Sequence, residues 1–268
     1  MKELLKMEYH RLLRSKILYI ALGINILIIL MQIFSEIVPY AEGTMKIVVY
    51  PLTLFEKWIG GENSSVYPTM YFMLAPLISA IPYGGSLQED LKTGYIKNIC
   101  TRGRKKDYLA AKYIVTFSTG LISVIPLVLN FLITAVILPA TLPQASTLFY
   151  SVKAISMLGE TFYTQPYLYL FIWLVLDILF FGFIATISLV IVFFSEYVYV
   201  AILAPFLACM ALYGISLISS QAAAAAPFYF LRPSQPYPAN PMILALEAVL
   251  LVAMGVGYYY AGNKKEIY

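Results

Sequence analysis

The chain has few charged residues for its length. Asp, Glu, Lys and Arg make up only 12% of its 268 residues, whereas about a quarter of the residues are charged in ordinary soluble domains. Hydrophobic residues make up 61%, and the mean hydropathy is +0.79. Such a chain does not have enough polar residues to cover its surface in water. We therefore expect an all-α, polytopic membrane protein.

Cysteine and histidine are also scarce. The two cysteines, Cys100 and Cys209, form no C-x-x-C, which excludes a disulfide framework and a zinc site of that kind. His10 is the single histidine, so the chain holds no multi-histidine metal cluster. The sequence also lacks H-E-x-x-H, G-x-S-x-G and the phosphate loop G-x-x-x-x-G-K-[ST]. We expect no enzyme activity, metal or cofactor in this chain alone.

Six segments are long and apolar enough to cross a membrane, since about 20 residues of helix span about 30 Å of hydrocarbon. The second segment is short and contains three prolines, so we predict a kinked span there. The first is expected to be an uncleaved anchor, because no small-residue cleavage site follows it. The predicted spans are Ile17–Phe34, Thr69–Pro82 with an outer extension to Val66, Leu109–Pro139, Pro166–Phe194, Tyr197–Ser219 and Pro241–Ala261.

The basic residues predict the orientation of these spans. Fourteen of the 18 lysines and arginines lie in the amino-terminal segment, the connection after the second span and the carboxyl-terminal segment. In a six-span topology these three segments share one side. Because cytoplasmic loops are rich in Lys and Arg, both termini are predicted to be cytoplasmic.

Residues 1–16, MKELLKMEYHRLLRSK, form a predicted interfacial helix. At 100° per residue its apolar side chains share one face and its basic ones the opposite face, a pattern typical of helices on a membrane surface. Lys2 and Glu8 interrupt the apolar side. The alternative is a positively charged flank that only fixes the topology. The apolar face holds Met1, Leu5, Tyr9, Leu12 and Leu13.

The segment Leu87–Tyr113, LQEDLKTGYIKNICTRGRKKDYLAAKY, carries ten charged residues. Its acidic pair would lie near a helix amino terminus, where negative charge is favourable. A following apolar stripe has nothing to pack against in its own loop, and Gly94 would let a partner backbone approach. A nucleic-acid site has weak support from RGRKK alone, and a solvated loop attracting anionic lipid is a second alternative. The pattern favours docking of a cytoplasmic protein over lipid, without excluding lipid.

The order of motifs in this segment resembles the cytoplasmic loop of ABC-2-type transporter permeases. The acidic pair is followed by K-x-G, the hydrophobic stripe, RGRKK and a D-Y-L-x-x-K that leads into a span. The six-span plan and the amphipathic amino-terminal helix are similar to that family as well. The resemblance implies that residues 84–108 form a coupling loop that docks on a separate ATPase subunit, with Arg102 and Lys112 in its flank. The implied docking residues are Glu89, Asp90, Leu91, Gly94, Tyr95, Ile96, Ile99 and Arg102.

The same resemblance implies two permease copies and two ATPase copies, with ATP and magnesium bound by the ATPase and no nucleic-acid partner. It places the protein in a bacterial plasma membrane. The compact loops and tyrosine-rich spans favour export of an amphipathic peptide, toxin or antibiotic; export of a lipid or polysaccharide is an alternative. Residues 220–240, with a run of five alanines and four prolines, are expected to form a re-entrant gate or a plain outer loop.

Two carboxylates lie within predicted spans. Asp177 is near the middle of the fourth and Glu247 is in the outer third of the sixth. A charge at the bilayer centre costs about 3 kcal/mol or more, so each should face a partner or a watery cavity. Both are candidates for the substrate path, where they would attract a cation or relay protons. A proton-coupled carrier using both residues is therefore an alternative function, and a purely structural role is an alternative for each.

Overall fold

The structure, a computed structural model, describes residues 1–43, 53–144, 152–153 and 155–264. Within these ranges it is all-helical and contains no strand. The helices are α1 Lys2–Arg14, α2 Lys16–Ala41, α3 Leu54–Lys57, α4 Val66–Ala80, α5 Ser86–Lys92, α6 Tyr95–Arg102, α7 Lys105–Ile137, α8 Gly159–Thr164, α9 Pro166–Ile191, α10 Val198–Ile218, α11 Pro227–Phe230 and α12 Pro241–Lys264.

Five of these helices, α2, α7, α9, α10 and α12, are long and apolar enough to cross a membrane. They confirm the expectation of an all-α, multi-pass membrane protein. The second predicted span forms α4, which has only 15 residues. At 1.5 Å per residue it is about 22 Å long, which is less than the hydrocarbon thickness.

Two contacts show that α4 connects the two ends of the helix bundle. Ser35 Oγ of α2 donates a hydrogen bond to Tyr67 Oη at the start of α4, over 2.9 Å. After the turn that follows α4, Lys112 Nζ of α7 donates to Tyr83 Oη over 3.3 Å. We call the end that carries α1, α5 and α6 the basic end and the opposite end the far end. The chain from Tyr67 to Tyr83 therefore returns from the far end to the basic end.

Polar side chains inside the bundle bind backbone groups near the intrahelical prolines. Pro126 has no N–H to offer to the carbonyl of Ile122, and the buried Asn25 of α2 donates its side-chain amide there instead, over 3.4 Å. Ser123 of α7 donates its hydroxyl to the carbonyl of Ala75 in α4, over 3.1 Å. A bond such as that of Asn25 is one way in which prolines are tolerated in membrane helices. The two bonds also tie α2, α4 and α7 together.

The centre of the bundle is α9, which packs against α4, α7, α10 and α12. Trp173 and Phe181 of α9 are fully buried. Residues 220–240 at the far end fold back against this core, and Phe230 meets Phe180 of α9 with ring centroids 5.1 Å apart. Ala226 and Leu231 of the same segment are buried as well.

Two glycines allow α7 and α9 to approach each other closely. A Cβ added at Gly120 would lie 2.4 Å from the backbone nitrogen of Gly182, and one added at Gly182 would lie 2.6 Å from the carbonyl oxygen of Phe117. Backbone atoms on both sides leave no room for a side chain. Small residues at helix crossings are typical of membrane bundles.

We predict that Gly120→Ala and Gly182→Ala each lower stability, by about 1–3 kcal/mol, because overpacking forces the two backbones apart. Gly214→Ala is the control, since a Cβ there meets no atom within 4 Å and alanine favours a helix. Thermal unfolding in detergent measures the difference. Equal unfolding midpoints for all three variants would contradict the described helix crossing.

Candidate functional site

Four charged side chains gather at the basic end, and we call them the charge cluster: Glu8 and Arg11 of α1, Asp90 of α5 and Lys112 of α7. Glu8 and Lys112 have no exposed surface, and Asp90 is 2% exposed. Arg11 is partly exposed at the edge. Charged residues are almost never fully buried unless they are paired. The cluster therefore marks a place where three helices are held together by charge.

Lys112 lies between the two carboxylates. Its Nζ is 3.0 Å from Glu8 Oε2 and 2.8 Å from Asp90 Oδ2. Arg11 donates from its two terminal nitrogens to the two oxygens of Asp90, over 3.0 and 2.8 Å, and to Glu8 over 3.2 Å. The two cations and two carboxylates cancel in formal charge. Bidentate arginine–carboxylate pairs are among the stronger hydrogen-bonded pairs.

Two tyrosines complete the hydrogen bonding of the carboxylates. Tyr83 donates its hydroxyl to Glu8, and Tyr108 donates to Asp90 over 2.5 Å. The Lys112 ammonium also lies 4.7 Å from the ring centre of Tyr83 and 5.6 Å from that of Tyr108, within reach of a cation–π attraction. A buried ion pair is stable only when its remaining polar atoms find partners as well, and here the tyrosines supply them.

The surroundings keep these groups in definite protonation states. Burial raises the pKa of the Asp90 carboxyl, but the hydrogen bond from Arg11 and the charge of Lys112 outweigh it, and the pKa lies below its ordinary value. The hydrogen bond with Asp90 raises the pKa of Arg11. Burial and the charge of Glu8 raise the pKa of the Tyr83 hydroxyl. Asp90 and Arg11 are therefore ionised at neutral pH, and Tyr83 is neutral.

The sequence did not predict this cluster. Glu8 stood out only as an interruption of the apolar face of α1, and Lys112 only as part of the flank in the family resemblance. An acidic residue on an apolar helix face is a usable signal, because it needs a buried cation nearby. One of its cations, Arg11, is only three residues away, but the buried one, Lys112, is brought to it by a tertiary contact between distant segments.

The predicted docking segment forms two helices. α5 ends before Gly94, whose φ of 69° lies in the left-handed region, and α6 follows. A Cβ added at Gly94 meets no atom within 4 Å, so its backbone conformation is what favours glycine there. The acidic pair divides between two environments: Glu89 is exposed, while Asp90 belongs to the charge cluster.

The apolar stripe is covered by other parts of the same chain. Ile96 is 1% exposed and packs in a cluster that includes Tyr108 and Leu109 of α7. Leu91 and Ile99 pack against the same cluster and are half-buried. Tyr95 is half-buried beside α1, where its ring centre lies 5.0 Å from the Arg11 guanidinium. The side chain of Arg102 lies outside the described residues.

A groove of about 750 Å³ lies between α1 and α6, and we call it the α1–α6 groove. Acidic and basic side chains, including Glu3, Arg104 and Asp107, line its remaining wall. The apolar part of its lining is formed by Met1, Leu4, Met7, Tyr95 and Ile99. Such a surface, flexible and apolar with charges beside it, is typical of a site that binds a helix.

The two candidate path residues lie apart from this end. Asp177 is fully buried inside the chain, in the middle part of α9. Neither of its carboxylate oxygens has a hydrogen-bond partner among the described residues. Glu247 is half-buried on α12. In the described part of the chain, no three His, Cys, Asp or Glu side chains are grouped so that they could hold a metal ion.

The fold and its five long apolar helices define a multi-pass, all-helical membrane protein. Comparisons with protein-family models, curated proteins and solved structures give no match. The likeness to ABC-2-type permeases therefore stays a prediction from the sequence.

We predict that Lys112→Met lowers stability by about 3–5 kcal/mol, because it leaves two buried carboxylates with one cation. Adding Glu8→Gln to this variant removes one excess charge and should recover part of the loss. Lys106→Met, at an exposed position of α7, is the control and should have little effect. Thermal unfolding in detergent checks the series. If the stability loss of the Lys112→Met/Glu8→Gln double variant equals the sum of the losses of the two single variants, a direct Lys112–Glu8 pair would be ruled out.

We also predict that acid weakens the basic end through Asp90. A carboxyl whose pKa is lowered by folding contributes stability above its unfolded pKa of about 3.9, and the contribution is lost as the pH falls through the folded pKa. At pH values below about 4, the thermal unfolding midpoint should therefore fall more steeply with decreasing pH in the natural chain than in Asp90→Asn. Glu89→Gln, which changes the exposed neighbour, should leave the acid dependence unchanged. Identical acid profiles for Asp90→Asn and the natural chain would contradict this assignment.

Proposed function

We propose that this chain is the membrane permease subunit of an ATP-driven exporter and that a separate cytoplasmic ATPase docks on its basic end. The observation that carries the proposal is the α1–α6 groove, which adjoins helices that the charge cluster fixes to the span α7. The groove offers a binding surface, and the cluster offers a rigid connection from that surface to the membrane. Six crossings, with both termini cytoplasmic, complete the proposed topology.

The path of α4 supports six crossings. Although α4 is short, it runs from the far end to the basic end beside α2 and α7, and the turn up to Tyr83 completes the passage. A bilayer adapts to a short span by thinning locally at modest cost. α12 then ends beside the start of α7, where Lys105 Nζ lies 3.4 Å from the carbonyl oxygen of Asn263. The two helices at the ends of the described chain thus lie at the same basic end.

The position of α1 supports an interfacial helix that is tied to the protein. Leu12 is buried in a cluster with Val115 of α7 and Tyr83, and Leu5 and Tyr9 pack against the same cluster. Leu13, in contrast, is 57% exposed and is free to face lipid. One helix thereby contacts the membrane surface, the α1–α6 groove and the charge cluster.

The groove is suited to an amphipathic helix of the ATPase. Its apolar lining would bury the nonpolar face of such a helix. Arg104, which is paired with Asp107 over 3.1 Å but is 82% exposed, would meet an acidic residue beside that face. Motion of the ATPase would then push on α1 and α6 together. Because pulling α1, α5 and α7 apart would leave buried charges unpaired, the motion passes to α7 instead of being lost in a flexible loop.

The proposed cargo is an amphipathic peptide, toxin or antibiotic that moves out of the cell between two permease copies, each with one ATPase. The apolar surfaces of α10 and α12 support a second copy or lipid as neighbour, because most of each surface is exposed. The folded-back segment 220–240 supports a gate at the far end, since Phe230 reaches the core helix α9. The proposed location is a bacterial plasma membrane.

Co-purification tests the docking surface. Asn98 is exposed and lines the groove, whereas the neighbouring Lys97 is exposed on the same helix and does not line it. We predict that Asn98→Tyr reduces the amount of an ATPase that co-purifies from the native host by at least about tenfold, a loss of about 1.4 kcal/mol in binding. Lys97→Tyr introduces the same side chain outside the groove and should keep the partner.

Mass spectrometry of the purified complexes gives the readout. If the Asn98→Tyr variant retains the ATPase, the docking surface lies outside the α1–α6 groove. Absence of any ATPase with the natural chain, in several mild detergents, would contradict the exporter proposal.

A further inference from the structure

The carboxyl group of Asp177 is a buried acid that the proposed docking and transmission do not use. It lies in the 26-residue apolar helix α9 with no exposed surface. Both of its oxygens lack a hydrogen-bond partner among the described residues, and so does the indole nitrogen of Trp173, four residues earlier. Residues four apart lie on the same face of a helix. The core therefore holds a local group of polar atoms without hydrogen-bond partners in the described part of the chain.

The helices packed around α9 provide no cation for Asp177 in the described chain. Tyr71 of α4 interacts with it electrostatically, but the Tyr71 hydroxyl is donated to the carbonyl of Ser123 over 2.5 Å. Cys209 of α10 is buried in the same hydrophobic cluster, and the charge of Glu247 of α12 acts on it. Tyr169 of α9 and Tyr213 of α10 also belong to this region.

We infer that Asp177 is a proton-binding site, which holds its proton while α4, α7 and α9 are packed and releases it to water when they separate. An ionised carboxylate without a partner costs about 3 kcal/mol or more at the centre of a membrane. A buried acid avoids that cost by staying neutral. The O–H bond breaks only when water reaches the carboxylate, and the proton leaves as hydronium.

This site links opening of the core to pH. The packed core holds one proton more than an opened core, so rising pH favours opening. For one proton the opening equilibrium shifts about tenfold per pH unit between the ordinary pKa of an exposed Asp and the pKa of Asp177 in the packed core. Asp177→Asn cannot release this proton, and it should remove the dependence. The inference does not rest on the proposed ATPase partner.

Infrared spectroscopy of the chain in lipid vesicles tests the bound proton directly. We expect the natural chain at neutral pH to show a C=O stretching band of a protonated carboxyl that disappears in Asp177→Asn. Asp177→Leu, which needs no hydrogen-bond partner, should lose the same band and serves if the asparagine variant fails to fold. Glu247→Gln is the control for the other intramembrane carboxyl. A protonated-carboxyl region that neither Asp177 substitution alters would overturn the inference.

The natural Cys209 reports opening, because it is buried in the same core cluster as Tyr71 and Trp173. In a Cys100→Ser background, a small maleimide labels it only when the core opens. We divide the labelling rate of the chain with Asp177 by the rate of the same chain with Asp177→Asn or Asp177→Leu. Because the thiol is the same in both chains, its own pH dependence cancels in this ratio. We expect that ratio to rise about tenfold per pH unit from pH 6 to 8. A ratio that stays constant would contradict proton-linked opening, whether or not an ATPase binds.

Discussion

The arrangement of the basic end depends on one ion pair system, in which Lys112 is held between Glu8 and Asp90. A lysine with no exposed surface is costly unless its charge is matched at hydrogen-bond distance. The two carboxylates come from α1 and α5, so matching the charge fixes both helices against α7. The position of α1, the turn at Tyr83 and the start of the docking segment all follow from that requirement. Removing any one of the four charged partners leaves one excess charge among the remaining three.

Buried charges need a matching partner at the other levels of the bundle as well, and each level provides for this in a different way. At the far end, Lys57 pairs with Glu62 over 2.6 Å, and the buried Arg232 donates to the Glu62 carbonyl over 3.2 Å. Burial there lowers the pKa of Arg232 to about 10. In the middle, Asp177 has no partner in the described chain, and the proposed bound proton would remove its charge. The charged groups at the two ends thus find partners, whereas the proposal makes the acid in the core neutral.

Hydropathy predicted most of the fold, because the thickness of the bilayer imposes the length of each helix. The predicted start of the fourth span at Pro166 and of the sixth at Pro241 coincide with the starts of α9 and α12. The second span was predicted with proline kinks, and the structure gives a 15-residue helix with one internal proline. Helix ends were less predictable where the chain turns without a polar break, as after α4.

The site was only partly predictable. The apolar stripe from Leu91 to Ile99 was predicted to lie on one helix, but Gly94 divides it between α5 and α6. The chain itself also covers much of the stripe. Glu8, Arg11, Asp90 and Lys112 meet through contacts between distant segments, and no local pattern records such contacts. Charge and hydropathy patterns along the sequence indicate which residues need a partner. The fold decides which partner each one finds.

The most direct test of the account is the distance between α1 and α5 in lipid vesicles. Spin labels at Lys6 and Glu89, both exposed, report that distance by pulsed electron paramagnetic resonance without touching the charge cluster. The account predicts one narrow distance distribution in the natural chain and a broad one in Lys112→Met. A distribution that is broad in both, or equally narrow in both, would show that the buried charges do not hold these helices together.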